Sequence, residues 1–380
     1  MQYQDAINIE DLRAIARQRL PRFVFTYVDG GAEDELTLGA NREVFARLRF
    51  RPRTLVDVSA RDSSTHLLGA PSALPIVIGP TGLNGLSWRD GDLELARAAS
   101  AAGVPFAMST VSMSLVEDIA REAPGRLWLQ AYVFSERRIT EAIIARARDA
   151  GFECVILTSD FPVAGKRERD LRTGLLPHQR FTLATRLDML MNPRWLATVA
   201  TRRPRFVNVE RELGPGRDVN SFVGHGMFDP SFCWDDIRRF RDLWPKKLLL
   251  KGVLRADDAE RAVAAGVDGL VLSNHGGRQL DGAISGMDAL PEVVRAVGGR
   301  ASILVDGGVR RGSDIAKAVA LGAEGVLLGR APVYGLAAGG AAGVSRAIAI
   351  LADEFDRTLA LTGCRNVGEL GADLIVAGRV

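Results

Sequence analysis

The stretch Leu270-Val-Leu-Ser-Asn-His-Gly-Gly-Arg-Gln-Leu-Asp281 runs from an apolar strand into a polar loop that holds His275 and Arg278. The adjacent glycines Gly276 and Gly277 leave the backbone free to bring both side chains to one point. An imidazole takes or gives a proton near neutral pH. A guanidinium fork holds a planar carboxylate through two parallel hydrogen bonds. A base and an anion clamp at the end of one strand point to chemistry on the carbon next to a carboxylate. Ordinary surface hydrogen bonding would be the better reading of a lone His. Here the strand, the paired glycines and the Arg all agree on a functional one.

What must position these residues is a repeat that begins at Leu74-Pro-Ile-Val-Ile-Gly, a buried strand followed by a helix from about Asp92 to Ala102. A junction then recurs at Gly103, Gly151, Gly266 and Gly322, each able to end a helix in the left-handed conformation. After each junction comes a short apolar strand: Pro105–Met108, Cys154–Leu157, Gly269–Leu272 and Gly325–Leu328. Further strands fit Leu127–Tyr132, Leu248–Lys251 and Ser302–Val305. Eight strands alternating with helices predict a parallel sheet closed into a (β/α)8 barrel. An open doubly wound sheet is the rival, but no G-x-G-x-x-G follows the first strand. Gly339-Gly340 lies in an Ala-rich helical stretch and reads as a packing feature.

The whole chain, 1–380, reads as one domain: a helical lead-in over 1–73, the barrel over 74–350 and a C-terminal helix and tail over 351–380. Asn8 caps a first helix with Ile9, Leu12, Ile15 and Ala16 on one face, and a second holds Phe23 and Tyr27. Glu33, Asp34 and Glu35 suit the start of a third. The connection after the fourth strand carries an insertion at about 165–245, too long for an ordinary loop. Such an insertion shapes a substrate entrance or a partner contact.

Active sites of barrels are built at the C-terminal ends of the strands. Those ends present Pro80-Thr81-Gly82, Ser109-Thr110, Gln130 with Tyr132, Thr158 with Asp160, Lys251, Ser273 with His275 and Arg278, Asp306-Gly307-Gly308 with Arg310, and Gly329-Arg330. A purely structural barrel has no reason to end so many strands in polar residues. Gly307-Gly308 and Gly329, with Arg310 and Arg330, predict a phosphate site at the last two strands. Lys251 follows Leu249 on one face of its strand, so its ammonium points into the barrel mouth and needs an anionic partner. That partner is either a bound anionic group or a salt bridge to Asp160 or Asp306.

These residues resemble the signatures of the FMN-dependent 2-hydroxy-acid oxidases and dehydrogenases. The resemblance covers almost the whole chain and rests on Tyr27-Val-Asp-Gly-Gly-Ala-Glu-Asp-Glu, Pro80-Thr-Gly, Gln130-Ala-Tyr132, Thr158-Ser-Asp160, Arg167, Leu250-Lys-Gly, Ser273-Asn-His-Gly-Gly-Arg-Gln-Leu-Asp281, Asp306-Gly-Gly-Val-Arg-Arg and Leu328-Gly-Arg. It implies oxidation of an L-2-hydroxy acid to the 2-keto acid on bound FMN. His275 would be the base and Asp160 its charge partner. Arg278 and Tyr27 would hold the carboxylate, with Arg167 and Tyr132 at the substrate oxygen. Thr81, Gly82, Ser109, Gln130, Thr158, Lys251 and Ser273 would line the flavin ring. Asp306, Gly308, Arg310, Gly329 and Arg330 would hold ribityl and phosphate.

Within the family, Pro80-Thr-Gly-Leu-Asn-Gly-Leu, Asn192-Pro-Arg-Trp195, Arg241-Asp-Leu-Trp-Pro245 and Ala283-Ile-Ser resemble the mandelate-oxidising branch. Ser109-Thr-Val-Ser112 and Phe228-Asp-Pro-Ser231 are shared with the membrane-linked lactate-oxidising branch. Val111, where relatives that act on glycolate carry Trp, leaves room for an aromatic substituent. Gly82, where the oxygen-using members carry Ala, implies transfer of electrons to a quinone or another carrier. Ala131, where Leu is usual, implies a packing change only. The resemblance also implies a homotetramer. Arg186, Arg194 and Trp195 in the insertion suit a peripheral contact with the inner face of the cell membrane, but Asp188 and the surrounding prolines suit an ordinary lid equally well.

The balance of 49 basic against 46 acidic residues is too even to imply a nucleic-acid partner. Cys154, Cys233 and Cys364 form no C-x-x-C pair, and His66, His178, His225 and His275 show no metal-ligand spacing, so a reducing cytoplasm and no metal are expected. A flavin-dependent isomerase and an inosinate-dehydrogenase-like enzyme are rival barrels. The latter needs a loop Cys at a strand end, where none stands. A barrel retained only for binding would not need both His275 and Arg278.

Overall fold

The computed structural model describes residues 1–174, 181–199, 205–214, 216–217, 219, 222 and 227–378. His178, His225 and the Arg202-Arg203 pair lie outside the described residues. Eight parallel strands close into a barrel in sequence order: β1 (Ile76–Ile78), β2 (Phe106–Ser109), β3 (Leu127–Ala131), β4 (Cys154–Thr158), β5 (Lys247–Val253), β6 (Gly269–Leu272), β7 (Ser302–Asp306) and β8 (Gly325–Leu328). β8 pairs with β1 through Val326 with Ile76, which removes both sheet edges. All four junction glycines take positive φ, as the repeat requires. This is the expected (β/α)8 barrel, with strand ends displaced by a residue or two.

Three helices precede the barrel: α1 (Ile9–Arg19), α2 (Arg22–Asp29) and α3 (Leu36–Arg47). Asn8 caps α1 by accepting a hydrogen bond from the Asp11 N–H at 2.9 Å. The acidic run Glu33 to Glu35 does not open α3. Glu35 precedes it in a left-handed conformation, and its carboxylate accepts from the Gly31 N–H (2.8 Å) and pairs with Arg169 (3.0 Å). Glu35 pins a loop, a tertiary role that local sequence does not reveal.

Between the strands lie α4 (Gly91–Ala101), α5 (Val116–Glu122) and α6 (Arg137–Asp149). The insertion carries α7 (Glu168–Thr173), α8 (Leu183–Leu190), α9 (Pro193–Thr198) and α10 (Val207–Leu213). The barrel then resumes with α11 (Trp234–Leu243), α12 (Ala256–Ala264), α13 (Gly286–Val297) and α14 (Gly312–Ala320), and ends in α15 (Arg330–Thr362). Asn192 and Pro193 separate α8 from α9. Trp195 does not lie on the surface. It is 7% exposed, packs edge-on against Phe23 and donates its indole N–H to the Leu86 carbonyl at 2.7 Å. It is the anchor that fastens the insertion to the barrel.

By length and hydropathy α15 could cross a membrane, yet it packs against α1, α4 and α14, so its apolar character is that of a core helix. The expected boundary at 350 falls inside it. Gly339-Gly340 kinks it: Gly340 has φ 60°, and a Cβ there would lie 2.8 Å from the Trp88 ring. The kink is thus a packing device, as its sequence context suggests.

Candidate active site

The strand period of two decides what reaches the barrel mouth. Val77, Ala107, Trp128, Ile156, Leu249, Val271, Leu304 and Leu327 fill the barrel interior as one buried cluster. One step further along the same faces stand Gly79, Ser109, Gln130, Thr158, Lys251, Ser273, Asp306 and Gly329. They form a ring at the mouth, and six of them carry polar side chains that link in two runs. Ser109 Oγ donates to Gln130 Oε1 (2.8 Å), Gln130 Nε2 to Thr158 Oγ1 (2.7 Å), and Lys251 Nζ to Ser273 Oγ (2.7 Å). Lys251 also pairs with Asp306 Oδ2 at 3.1 Å, so the salt bridge expected as an alternative is formed. Burial opposes its charge, but Asp306 and Asp160 outweigh that and hold its pKa above the ordinary value.

His275 sits above this ring with φ 59°, a conformation that costs a non-glycine residue about 1–3 kcal/mol. Its backbone N–H donates to Ser273 Oγ at 3.0 Å. Nδ1 lies 3.0 Å from Asp160 Oδ1, and Nε2 lies 3.1 Å from the Tyr132 hydroxyl. Burial tends to raise the Asp160 pKa, but His275 and Lys251 outweigh it, and the carboxyl stays ionised below its usual range. An ionised carboxylate only accepts, so Nδ1 carries the proton and Nε2 presents its lone pair to the cavity. Burial lowers the His275 pKa more than Asp160 raises it, which keeps the imidazole neutral and able to act as a base at neutral pH. Burial also pushes the Tyr132 phenol above its ordinary range, so it remains a donor.

Arg278 donates through Nη1 to the carbonyls of Tyr27 (2.6 Å) and Gly30 (3.0 Å) and lies 4.9 Å over the Tyr27 ring. The Tyr27 hydroxyl reaches the Gly82 carbonyl at 3.4 Å. Burial and the neighbouring Arg167 both lower the Arg278 pKa, so this corner of the site favours an arriving anion. Arg167 is 3.4 Å from Asp170 and its buried Nε makes no hydrogen bond. All six residues expected to do chemistry therefore gather in one group of neighbouring side chains.

The remaining expected residues divide. Gly82 faces Val111, whose Cγ2 would lie 2.9 Å from an added Cβ, and Thr81 Oγ1 donates to Asn84 Oδ1 at 2.9 Å. Gly308 (φ 81°) is required by close packing, since a Cβ there would sit 1.7 Å from the Asn41 carbonyl oxygen. The Arg330 guanidinium is spent on the carbonyls of Val28, Gly276 and Gly30. Ala131 faces the layer beneath the helices, away from the mouth.

Sequence reasoning missed two aromatic residues. Phe161 and Phe228 lie 4.4 Å apart, each ring is 5.0 Å from that of Tyr132, and Phe161 is 5.3 Å from the imidazole. They supply the apolar wall that desolvates His275. Phe161 adjoins Asp160, a signal that position alone could have offered. Phe228 returns from the far end of the insertion; the motif Phe228-Asp-Pro-Ser231 marks it, but nothing local says that it meets Tyr132.

The model of the FMN-dependent dehydrogenase family matches residues 16–377. The chain belongs to that family. Over 373 residues this FMN-dependent dehydrogenase is 46% identical to (S)-mandelate dehydrogenase of Pseudomonas putida, covering 98% of this chain and 94% of that one. It is 43% identical to L-lactate dehydrogenase of Caulobacter vibrioides, covering 97% of each. The crystal structure of the monotopic membrane protein (S)-mandelate dehydrogenase superposes with a TM-score of 0.94 at 45% identity, covering 98% of this chain and 100% of that chain.

The cofactor of this family is FMN, and two buried polar atoms fit it. Asp306 Oδ1 and Arg310 Nε are buried without hydrogen-bond partners, an acceptor and a donor of the kinds that a hydroxyl and a phosphate would need. Among the described residues no cluster of His, Cys, Asp or Glu could hold a metal ion.

Proposed function

We propose that this FMN-dependent dehydrogenase oxidises (S)-mandelate to benzoylformate and passes the electrons to a quinone or another carrier. The observation that carries the chemistry is the His275 imidazole, held by Asp160 at Nδ1 and by Tyr132 at Nε2, with the buried Arg278 guanidinium near by. Bound FMN supplies the two-electron acceptor. Arg278 and Tyr27 hold the substrate carboxylate, while Arg167 and Tyr132 bind the oxygen on the reacting carbon. His275 takes a proton from the substrate, and Asp160 offsets the charge of the imidazolium that forms. Thr81, Gly82, Ser109, Gln130, Thr158, Lys251 and Ser273 line the ring, and Asp306, Gly308, Arg310, Gly329 and Arg330 surround the chain and phosphate.

The choice of mandelate is supported by the identity with mandelate dehydrogenase and by Val111, a small residue beside Gly82 and the Tyr27 hydroxyl. Lactate is the second reading, favoured by the relatives named for it. Steady-state rates with mandelate, lactate and glycolate separate them: mandelate is expected to give the highest kcat/KM, and a preference for glycolate would overturn the assignment. The reduced enzyme is expected to reoxidise quickly with a soluble quinone and slowly in air.

The insertion supports a peripheral membrane contact. On α8 and just beyond it Leu183, Leu187, Leu190 and Met191 are 73%, 52%, 67% and 74% exposed and recur at helical spacing. The double variant Leu187→Asp/Met191→Asp is expected to abolish co-sedimentation with anionic vesicles and leave kcat with a soluble acceptor unchanged. Wild-type protein that stays in the supernatant would exclude the contact.

A further inference from the structure

Two loops carry the reacting groups, and one amide joins them. Gln279 stands beside Arg278 on the loop that follows β6. Its Nε2 donates to the carbonyls of Asp160 (2.8 Å) and Val163 (2.9 Å), and its Oε1 accepts from the Gly165 N–H at 2.9 Å. Asp160 and Arg167 belong to that second loop, which follows β4. The loops touch backbone to backbone at Gly165, where a Cβ would lie 2.3 Å from the Arg278 carbonyl oxygen and 2.8 Å from Gln279 Cα. At that separation the amide meets one donor and two acceptors, all on the opposite loop.

We infer that Gln279 is a positioning residue that sets the Asp160–Arg167 loop in register with the His275–Arg278 loop. This rests on the reading of the site as a 2-hydroxy-acid oxidising centre. The Asp160 carboxylate must stay in line with His275 Nδ1, and Arg167 must face the same cavity as Arg278. The Gln279 bonds fix the backbone of Asp160, Val163 and Gly165, the stretch that leads to Arg167, so a small drift in them moves both charges at once. A misplacement of about 1 Å costs a reaction on the order of 100-fold. Only a primary amide satisfies the three partners. A carboxylate of the same shape would keep the bond from Gly165 but set an oxygen against two carbonyls, and a thioether would lose all three bonds. The barrel does not depend on the amide, because backbone bonds from Ala32 to Gly277 (2.8 Å) and from Glu33 to Lys166 (2.8 Å) also bridge the loops.

The test uses flavin-loaded Gln279→Met and Gln279→Glu enzymes beside the wild type, with (S)-mandelate and L-lactate and flavin reduction followed without air. Both variants are expected to retain FMN and to lose roughly 10- to 100-fold in kcat. KM should rise far less, because the bonds that hold Arg278 to Tyr27 and Gly30 do not involve Gln279. Wild-type reduction rates in either variant would overturn the inference, as would a rise in KM with kcat preserved. Loss of flavin from both variants would make Gln279 a purely structural residue and would equally overturn it. A wild type that neither acid reduces would instead refute the reading of the site itself.

Discussion

Replacing His275 with Asn is expected to leave the barrel and the bound flavin intact and to slow flavin reduction by roughly 10²- to 10⁴-fold, the contribution of a positioned general base. The imidazole makes its key contacts at 3.0 Å to Asp160 and 3.1 Å to Tyr132, and Asn reaches neither partner with the same geometry. The pH dependence follows from the same surroundings. Because burial lowers the His275 pKa below its ordinary 6.5, kcat/KM of the wild type should rise with pH through an apparent pKa under that value and then stay level through neutrality. Asp160→Asn removes the group that raises the pKa, so the acid limb should move to still lower pH while the plateau falls. A limb that moves upward would show that Asp160 does not support the imidazolium.

Arg278→Met should act on binding and chemistry together. Hydrogen bonds to a charged group contribute about 1.5–3 kcal/mol each, so loss of the clamp is expected to lower kcat/KM by at least about 100-fold. Lys should rescue little of this, because it cannot form the planar fork. The diagnostic comparison is between mandelate and its neutral methyl ester. Wild type should strongly prefer the acid, and the Met variant should lose most of that preference. Equal discrimination in the two enzymes would place the carboxylate elsewhere.

The fold could be read from the chain because its signals are local and repeated. Each strand is a short apolar run, each junction has a glycine, and the polar residue one period beyond each buried layer marks the mouth. That is why Ser109, Gln130, Thr158, Lys251, Ser273 and Asp306 were found together. What was not legible depends on contacts between distant segments. Nothing near Trp195 says that its indole meets the Leu86 carbonyl, so it reads as a surface anchor when it is a buried one. The run Glu33 to Glu35 has the composition of a helix start, and only the fold brings Arg169 to Glu35. Arg330 has the charge for a phosphate, but three backbone carbonyls occupy its guanidinium. Phe228 reaches Tyr132 only after the insertion has turned back on the barrel.

The most direct test mixes the purified holoenzyme with (S)-mandelate in the absence of air and follows the visible absorbance of the flavin. The arrangement of His275 and Arg278 predicts rapid bleaching by mandelate, slow bleaching by its methyl ester and none in the His275→Asn/Arg278→Met double variant on the same timescale. A flavin that stays oxidised with every 2-hydroxy acid, or that the double variant reduces as fast as the wild type, would contradict the account.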